Sequence, residues 1–296
     1  NDFDLLGHAE FPCDLFLMDL DGAWSDSDAN GIYDAHTDGS GDVAPEIFVA
    51  RIDASMMSGD EVELLSQYFV KDDAYWTGAF SLAKTGLTYT EDDWAGSSGF
   101  LYCLDPLYGA GNYTAIAAPN TNRDDYLNNR LMNPTYEYIQ LACHSSPAGH
   151  SFTRGGWLSN YSVFSAPPQG LAFNLFACSS LRFTYPDFLG GAYVYNAGQK
   201  ALVSVGSTKT GSMLTFPPFY NSLGANNPIG VAFRDWFQAV APFDQIEIYW
   251  FYGMAICGDP MISLLSVGSL GVLEPNGGEL WYEGNTEIIT WDVNSL

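Results

Sequence analysis

The chain has 296 residues, 47% of them apolar, which suits roughly two domains, or one large domain with an appendage, and rules out a disordered polymer. Ten basic residues stand against 35 acidic ones, a net charge of −25, so a general nucleic-acid binder is excluded because nothing could neutralise a run of phosphates. No run of 18 consecutive apolar residues exists for a transmembrane helix, and Asn1 to Asp4 carry no basic segment ahead of an apolar one, so no signal peptide is read there.

Read in chain order, Leu15 to Asp19 and Pro45 to Ile52 are expected as strands around a loop rich in Asp, Gly, Asn and Ser. From Ser58 to Trp76 the period changes. Val62, Leu65, Phe69 and Val70 recur at helical spacing behind Asp60. Then strands and helices alternate. Strands are expected at Gly86 to Thr90, Tyr138 to Ala142, Leu171 to Ala177 and Ala201 to Val205, and helices at Asp124 to Met132 and Ile229 to Val240. The last helix turns Val231, Phe233, Trp236, Phe237 and Val240 mostly inward. After Leu265 the style becomes β again, with strands at Leu273 to Trp281 and Thr286 to Trp291.

Buried strands alternating with helices argue for an α/β fold, a mainly parallel sheet with helices on both faces. In such sheets ligands bind outside the carboxyl ends of the strands. Three expected strand ends carry chemistry: the cluster Glu91, Asp92, Asp93; His144; and Cys178. A Cys nucleophile needs a thiolate, and a nearby His supplies it by taking the proton. The 34 residues from His144 to Cys178 leave room for one crossover and a return strand. Ser145 and Gly149 leave the following loop open, so a backbone N–H there could face an oxyanion. The bland alternative is a small buried Cys and a satisfied loop His. His150, six residues on, is a secondary base candidate inside the loop.

The five cysteines, at 13, 103, 143, 178 and 257, form no C-x-x-C and leave at least one unpaired; one or two disulfides are open if the protein is exported. Asp26, Asp28, Asn30 and Asp34 place oxygens at alternate positions around Gly31, a spacing that lets one loop wrap calcium, with Asp19, Asp21, Asp38 and Asp42 nearby. Position twelve is Thr37, so the loop is not an EF-hand. The expected cofactor is therefore structural calcium, with no organic cofactor; zinc on Cys143, His144, His150 and Cys178 is disfavoured because adjacent residues cannot easily face one ion.

The segments Leu141-Ala-Cys-His144-Ser-Ser-Pro147 and Asn174-Leu-Phe-Ala-Cys178-Ser carry a family resemblance. So do Pro45 to Arg51, Gly206-Ser-Thr208 and Trp250 to Pro260 with its Gly-Asp-Pro turn. Together, in this order, they resemble the gingipain-like cysteine peptidases, in the clan of caspases and legumains, over residues 13 to 266. The resemblance implies a caspase-like catalytic domain over 76–266, behind an N-terminal subdomain (1–75, read as incomplete) that carries the acidic loop. It implies a secreted cysteine endopeptidase with Cys178 as nucleophile, His144 as base and Glu91, beside Asp92, as the carboxylate that orients the imidazole. The oxyanion would meet the backbone N–H groups of Cys178 and Ser145, and Ser207, Thr208 and Met213 would wall the substrate pocket. Specificity for Arg or Lys does not follow.

Two positions depart from the family. Ser145 replaces the Gly after the His, and Cys143 stands before it in place of Gly, where it could pair with Cys178. Residues 267–296 resemble the truncated start of an immunoglobulin-like module, so the expected partners are a protein or peptide substrate and, through further C-terminal domains, a bacterial-type cell surface. The competing reading is an inactive surface or assembly protein that keeps the peptidase fold and a structural calcium.

Overall fold

A computed structural model describes residues 10–80, 83–196 and 200–264, and the backbone of 269–274 and 290–294. A helical turn, Leu15–Met18, comes first, and a short hairpin of β1 (Ala23–Ser25) and β2 (Ala35–Thr37) comes next. The helix Glu61–Trp76 follows, capped by Asp60, whose carboxylate accepts the Glu63 N–H at 2.9 Å. Next come β3 (Gly86–Thr90), β4 (Thr114–Ala117) and β5 (Tyr138–Ala142). An antiparallel meander of β6 (His144–Ser146), β7 (Gly149–Phe152) and β8 (Gly156–Ser159) grows directly out of β5. Then β9 (Ala172–Phe176), β10 (Val203–Ser207) and β11 (Met254–Gly258) complete the main sheet.

The six-stranded sheet has the order β11-β10-β9-β5-β3-β4. All neighbours are parallel except β11, which runs antiparallel to β10. Every residue of β3, β5, β9, β10 and β11 is buried, as expected for strands covered on both faces. From β3 the chain steps outward to β4, then returns to β5 on the other side of β3. That reversal opens a crevice beyond the carboxyl ends of β3 and β5, where α/β sheets bind ligands.

Several expected elements differ. Leu15 to Asp19 is a single helical turn, Leu15–Met18, not a strand. Leu15 and Met18 are fully buried while Phe16 and Leu17 are exposed, and a four-residue apolar run cannot distinguish the two periods. Pro45 to Ile52 forms no strand: it bends at Glu46 and Ile47, and among the described residues it joins the sheet only through Arg51, which forms an isolated parallel bridge with Cys257. Phe48 packs instead on Gly230, where a Cβ would meet its ring at 2.4 Å. The helix Glu61–Trp76 buries Leu64, Tyr68, Lys71 and Tyr75, whereas Val62, Phe69 and Val70 face outward. Burial here follows hydrogen bonding as well as apolarity. Tyr68 donates to the Leu202 carbonyl at 2.9 Å, and Lys71 Nζ donates to the carbonyls of Val194, Asn196 and Ala201.

The helix Ile229–Val240 forms as expected, with Phe233, Trp236, Phe237 and Val240 buried. The segment after Asn122 begins as helix Arg123–Asp125 and widens into a π-helical turn, Tyr126–Leu131. Near the C-terminus, β12 (Ser269–Glu274) pairs antiparallel with β13 (Thr290–Asn294). Most of the two strands expected between Leu273 and Trp291 lies outside the described residues.

Candidate active site

Adjacent strands β5 and β9 run parallel with Ala142 opposite Phe176. The register continues one step further, since the Cys143 N–H donates to the Phe176 carbonyl at 3.1 Å. His144 opens β6 immediately beyond β5, and Cys178 lies two residues beyond β9. The two residues therefore leave neighbouring strands at the same sheet edge. The meander is tied to the turn that carries the cysteine, because the Ser145 hydroxyl donates to the Cys178 carbonyl. No hydrogen bond joins the Cys178 thiol to the His144 ring among the described residues.

The chain reverses sharply after the cysteine. Ser179 takes a left-handed φ of 56°, its N–H donates to the Lys209 carbonyl at 2.7 Å, and Leu181 N–H donates to Ser207 at 2.9 Å. Gly206 makes room for this turn, for a Cβ there would meet Ser180 Oγ at 2.4 Å and Leu181 Cδ1 at 2.8 Å. A left-handed serine costs on the order of 1–3 kcal/mol, a cost these tethers to Ser207 and Lys209 offset. Cys178 itself is half-buried, and its N–H donates to nothing among the described residues.

The three carboxylates after β3 take three separate partners. Glu91 is buried; its Oε2 accepts the Thr153 N–H at 2.7 Å and its Oε1 has no partner among the described residues. Asp92 pairs with Arg154 at 3.2 Å. Asp93 takes His144, with Oδ2 2.7 Å from Nε2. The carboxylate on the imidazole is thus Asp93, whereas Glu91, the residue expected there, secures the turn between β7 and β8. Trp94 covers one side of the imidazole, its ring centroid 4.9 Å away. Asp93 and Trp94 belong to one 3-10 turn, Asp92–Trp94, so a single local structure holds both the ring and one of its nitrogens.

A second Cys–His pair lies beneath the first. Cys143 Sγ is 3.2 Å from His150 Nδ1, His150 Nε2 is 2.8 Å from the Tyr193 hydroxyl, and Tyr193 meets Tyr126 at 2.9 Å. Burial pushes the His150 pKa down to about 3 and the Cys143 thiol well above its usual value, with the Glu91 charge adding to the latter. Both groups are neutral at pH 7 and closed to solvent, so this pair is structural. Cys103, Cys143, Cys178 and Cys257 are free thiols, and Cys143 is hydrogen-bonded to His150 and not bridged to Cys178.

The residues expected to wall the pocket are sealed. Ser207, Thr208 and Met213 are all fully buried; Thr208 Oγ1 donates to the Pro12 carbonyl at 2.6 Å, and Met213 Sδ accepts from Asn174 Nδ2 at 3.5 Å. The open cleft, about 580 Å³, begins one residue later, at Leu214 to Pro217, and faces Ser97 to Pro106. Chain proximity to Met213 was the only sequence signal for it.

In the acidic loop the expected metal residues bond among themselves. Asp26 accepts the N–H groups of Asn30 and Gly31, Asp28 accepts Asn30 Nδ2, and Asp34 accepts the Ser27 N–H. The carboxylates that converge, with oxygens within 4.8 Å of one another, are Asp19, Asp21 and Glu46. Asp19 also faces His36 Nε2 at 2.5 Å.

No protein-family model matches the chain, and no curated protein matches it. Solved structures do. The crystal structure of the Arg-specific cysteine proteinase gingipain R superimposes with a TM-score of 0.53 at 12% identity, over 74% of this chain and 56% of that one. A complex of the pro- and mature domains of Porphyromonas gingivalis RgpB gives a TM-score of 0.54 at 13% identity, over 77% and 60%. A structure described as a protease gives a TM-score of 0.51 at 15% identity. The chain thus spans less than two thirds of the length of these proteins. At such identities the likeness is one of fold, and among the described residues no helix is long and apolar enough to cross a membrane. The mostly parallel six-stranded sheet with its helices is consistent with the caspase-like fold of the gingipain structures.

Proposed function

We propose that the chain is a cysteine endopeptidase that hydrolyses peptide bonds through Cys178 and His144. The observation that carries this reading is the emergence of both residues from adjacent parallel strands at one sheet edge, beside the topological reversal. With Asp93 on Nε2, that nitrogen keeps its proton and Nδ1 is left to take the thiol proton. The Cys178 thiolate attacks the scissile carbonyl carbon. The tetrahedral oxyanion meets the free N–H of Cys178, with the Ser145 N–H as the second expected donor. Protonated His144 returns its proton to the departing amine, leaving a thioester. Water, deprotonated by the same imidazole, hydrolyses the thioester and frees Cys178.

A second reading, a peptidase fold without activity, draws on one observation: His144 is exposed and has no hydrogen bond to the thiol. Uncomplexed sites are often looser than the reacting complex, so the experiment is direct. A thiol-directed electrophile should label Cys178 selectively; labelling should vanish in Cys178→Ala and slow in His144→Ala. Uniform labelling of accessible thiols, with no cleavage of a peptide library, would establish the inactive reading.

The same proposal makes calcium a structural ion of the acidic loop, held by oxygens of Asp26, Asp28, Asn30 and Asp34, with the converging trio Asp19, Asp21 and Glu46 as the alternative cluster. All of these are hard oxygen donors, which suits calcium. Secretion, or attachment to a bacterial-type cell surface, is part of this proposal and rests on the sequence resemblance.

A further inference from the structure

The cleft of about 580 Å³ adjoins the Cys178–His144 edge through a continuous layer of rings. Phe100, in its wall, packs edge-on against Phe176 at 4.7 Å and against Phe216, across the cleft, at 5.0 Å. Phe176 is the last residue of β9, two before Cys178. Trp94 bridges the other way, 5.3 Å from Phe176 and 4.9 Å from His144. Trp94 also meets Phe100 itself at 6.3 Å, so one aromatic side chain packs against both the His144 ring and the wall of the cleft.

The lining is mainly apolar, with Phe100, Tyr102, Leu214, Phe216 and Pro217 in it, and Asp105 is its only charged group among the described residues. That carboxylate is already engaged, for Tyr113 donates its hydroxyl to Asp105 Oδ1 at 2.7 Å. A guanidinium would need a planar pair of free acceptors to be held bidentately, and its charge would otherwise be desolvated against aromatic walls. A large apolar side chain needs neither.

Resting on the peptidase reading, we propose that this cleft selects substrates with a large apolar residue, aromatic or long aliphatic, immediately before the cleaved bond. This separates the chain from the Arg-specific gingipain R whose fold it shares. Burial of such a side chain should favour it over a charged one by one to two orders of magnitude in affinity.

The test uses the full chain with Cys178→Ala and a set of product-like peptides that differ only in a C-terminal Phe, Leu, Arg or Asp. Binding is followed by fluorescence anisotropy, and the wild-type chain is assayed in parallel for cleavage of the matching substrates. Phe- and Leu-terminated peptides should bind at least tenfold more tightly than the Arg peptide. The difference should collapse in Phe216→Ala and in Leu214→Arg, the second variant placing a charge in the cleft in case loss of the ring disturbs folding. Circular dichroism confirms that each variant is folded. Tightest binding of the Arg peptide, particularly if lost in Asp105→Asn, would overturn the proposal, as would equal binding of all four. If the apolar preference holds while the wild type cleaves nothing, the pocket stands and the hydrolase reading fails. If the wild type cleaves after Arg, the enzyme stands and the pocket chemistry fails.

Discussion

Two carboxylates compete for the role of orienting His144, and exchanging each for its amide tells them apart. Asp93 touches Nε2 at 2.7 Å, yet the His144 and Asp93 side chains are 60% and 66% exposed. Solvent screens such a pair to about 0.2–1 kcal/mol, which corresponds to a factor of about 1.4 to 5. The Trp94 ring, 4.9 Å away, still limits the imidazole when the charge is gone. Asp93→Asn should therefore slow alkylation of Cys178 by iodoacetamide, and lower kcat/KM on a cleaved peptide, by no more than about fivefold. The loss should shrink in 0.5 M salt, where exposed charges are screened. Glu91→Gln should have a smaller effect on both rates, because the amide oxygen can still accept the Thr153 N–H. The opposite result, a hundredfold loss in Glu91→Gln beside no change in Asp93→Asn, would refute the reasoning and make Glu91 the orienting group.

Other consequences concern stability. Lys71→Met should destabilise the fold by about 3 kcal/mol or more, since three buried carbonyls lose their donor at once, and urea unfolding would measure it; a change below about 1 kcal/mol would show that those carbonyls find other partners. His150, held near a pKa of about 3 by burial, binds its proton far more readily in the unfolded chain, whose imidazole titrates near 6.5. Its contribution is thus intact above about pH 6.5 and falls by about 1.4 kcal/mol per pH unit as acid is added, until the folded form also protonates near pH 3. Urea midpoints at pH 7, 5 and 4 should therefore fall more steeply for the wild type than for His150→Asn, and parallel slopes would contradict this. Calcium at a hundred times its dissociation constant should add about 2.7 kcal/mol, seen as a rise in Tm reversed by EDTA and reduced in Asp26→Asn; an unmoved Tm would remove the ion from the reading.

What the sequence made legible follows from which features leave a periodic trace. A strand buried on both faces is a short apolar run, so Gly86 to Thr90 and Tyr138 to Ala142 could be placed to the residue, and with them the rim where Cys178 and His144 emerge. Contacts made outside regular structure leave no such trace. Glu91, Asp92 and Asp93 are equivalent carboxylates in a row, and only the path of the meander decides that the first reaches Thr153 and the third His144. The inward face of the helix Glu61–Trp76 was hidden for a related reason. Tyr68 and Lys71 are buried because carbonyls wait for them across the core, and polarity alone would have turned them out. The cleft was missed by one residue, at a point where Thr215 enters the left-handed region with φ 54° and no pattern of alternation survives.

The two Cys–His sets show why position, more than residue type, assigns chemistry here. Cys143 and His150 are within hydrogen-bond distance and look, as a pair, more like a catalytic dyad than Cys178 and His144 do. Their surroundings forbid the role. A thiolate–imidazolium pair sealed between Phe152, Tyr126 and Tyr193 would separate charge in a medium that penalises both ions, and the burial shifts run in the direction that keeps both neutral. His144 follows Cys143 directly and Cys178 lies two residues beyond β9; His144 is exposed and Cys178 half-buried, so solvent reaches this pair. The carboxyl ends of β5 and β9 thus set one Cys–His pair at the rim, while the end of β5 and strand β7 bury the other. A selective electrophile should tell them apart without mutation: native protein should lose only one fast-reacting thiol, and Cys143 should react only after unfolding.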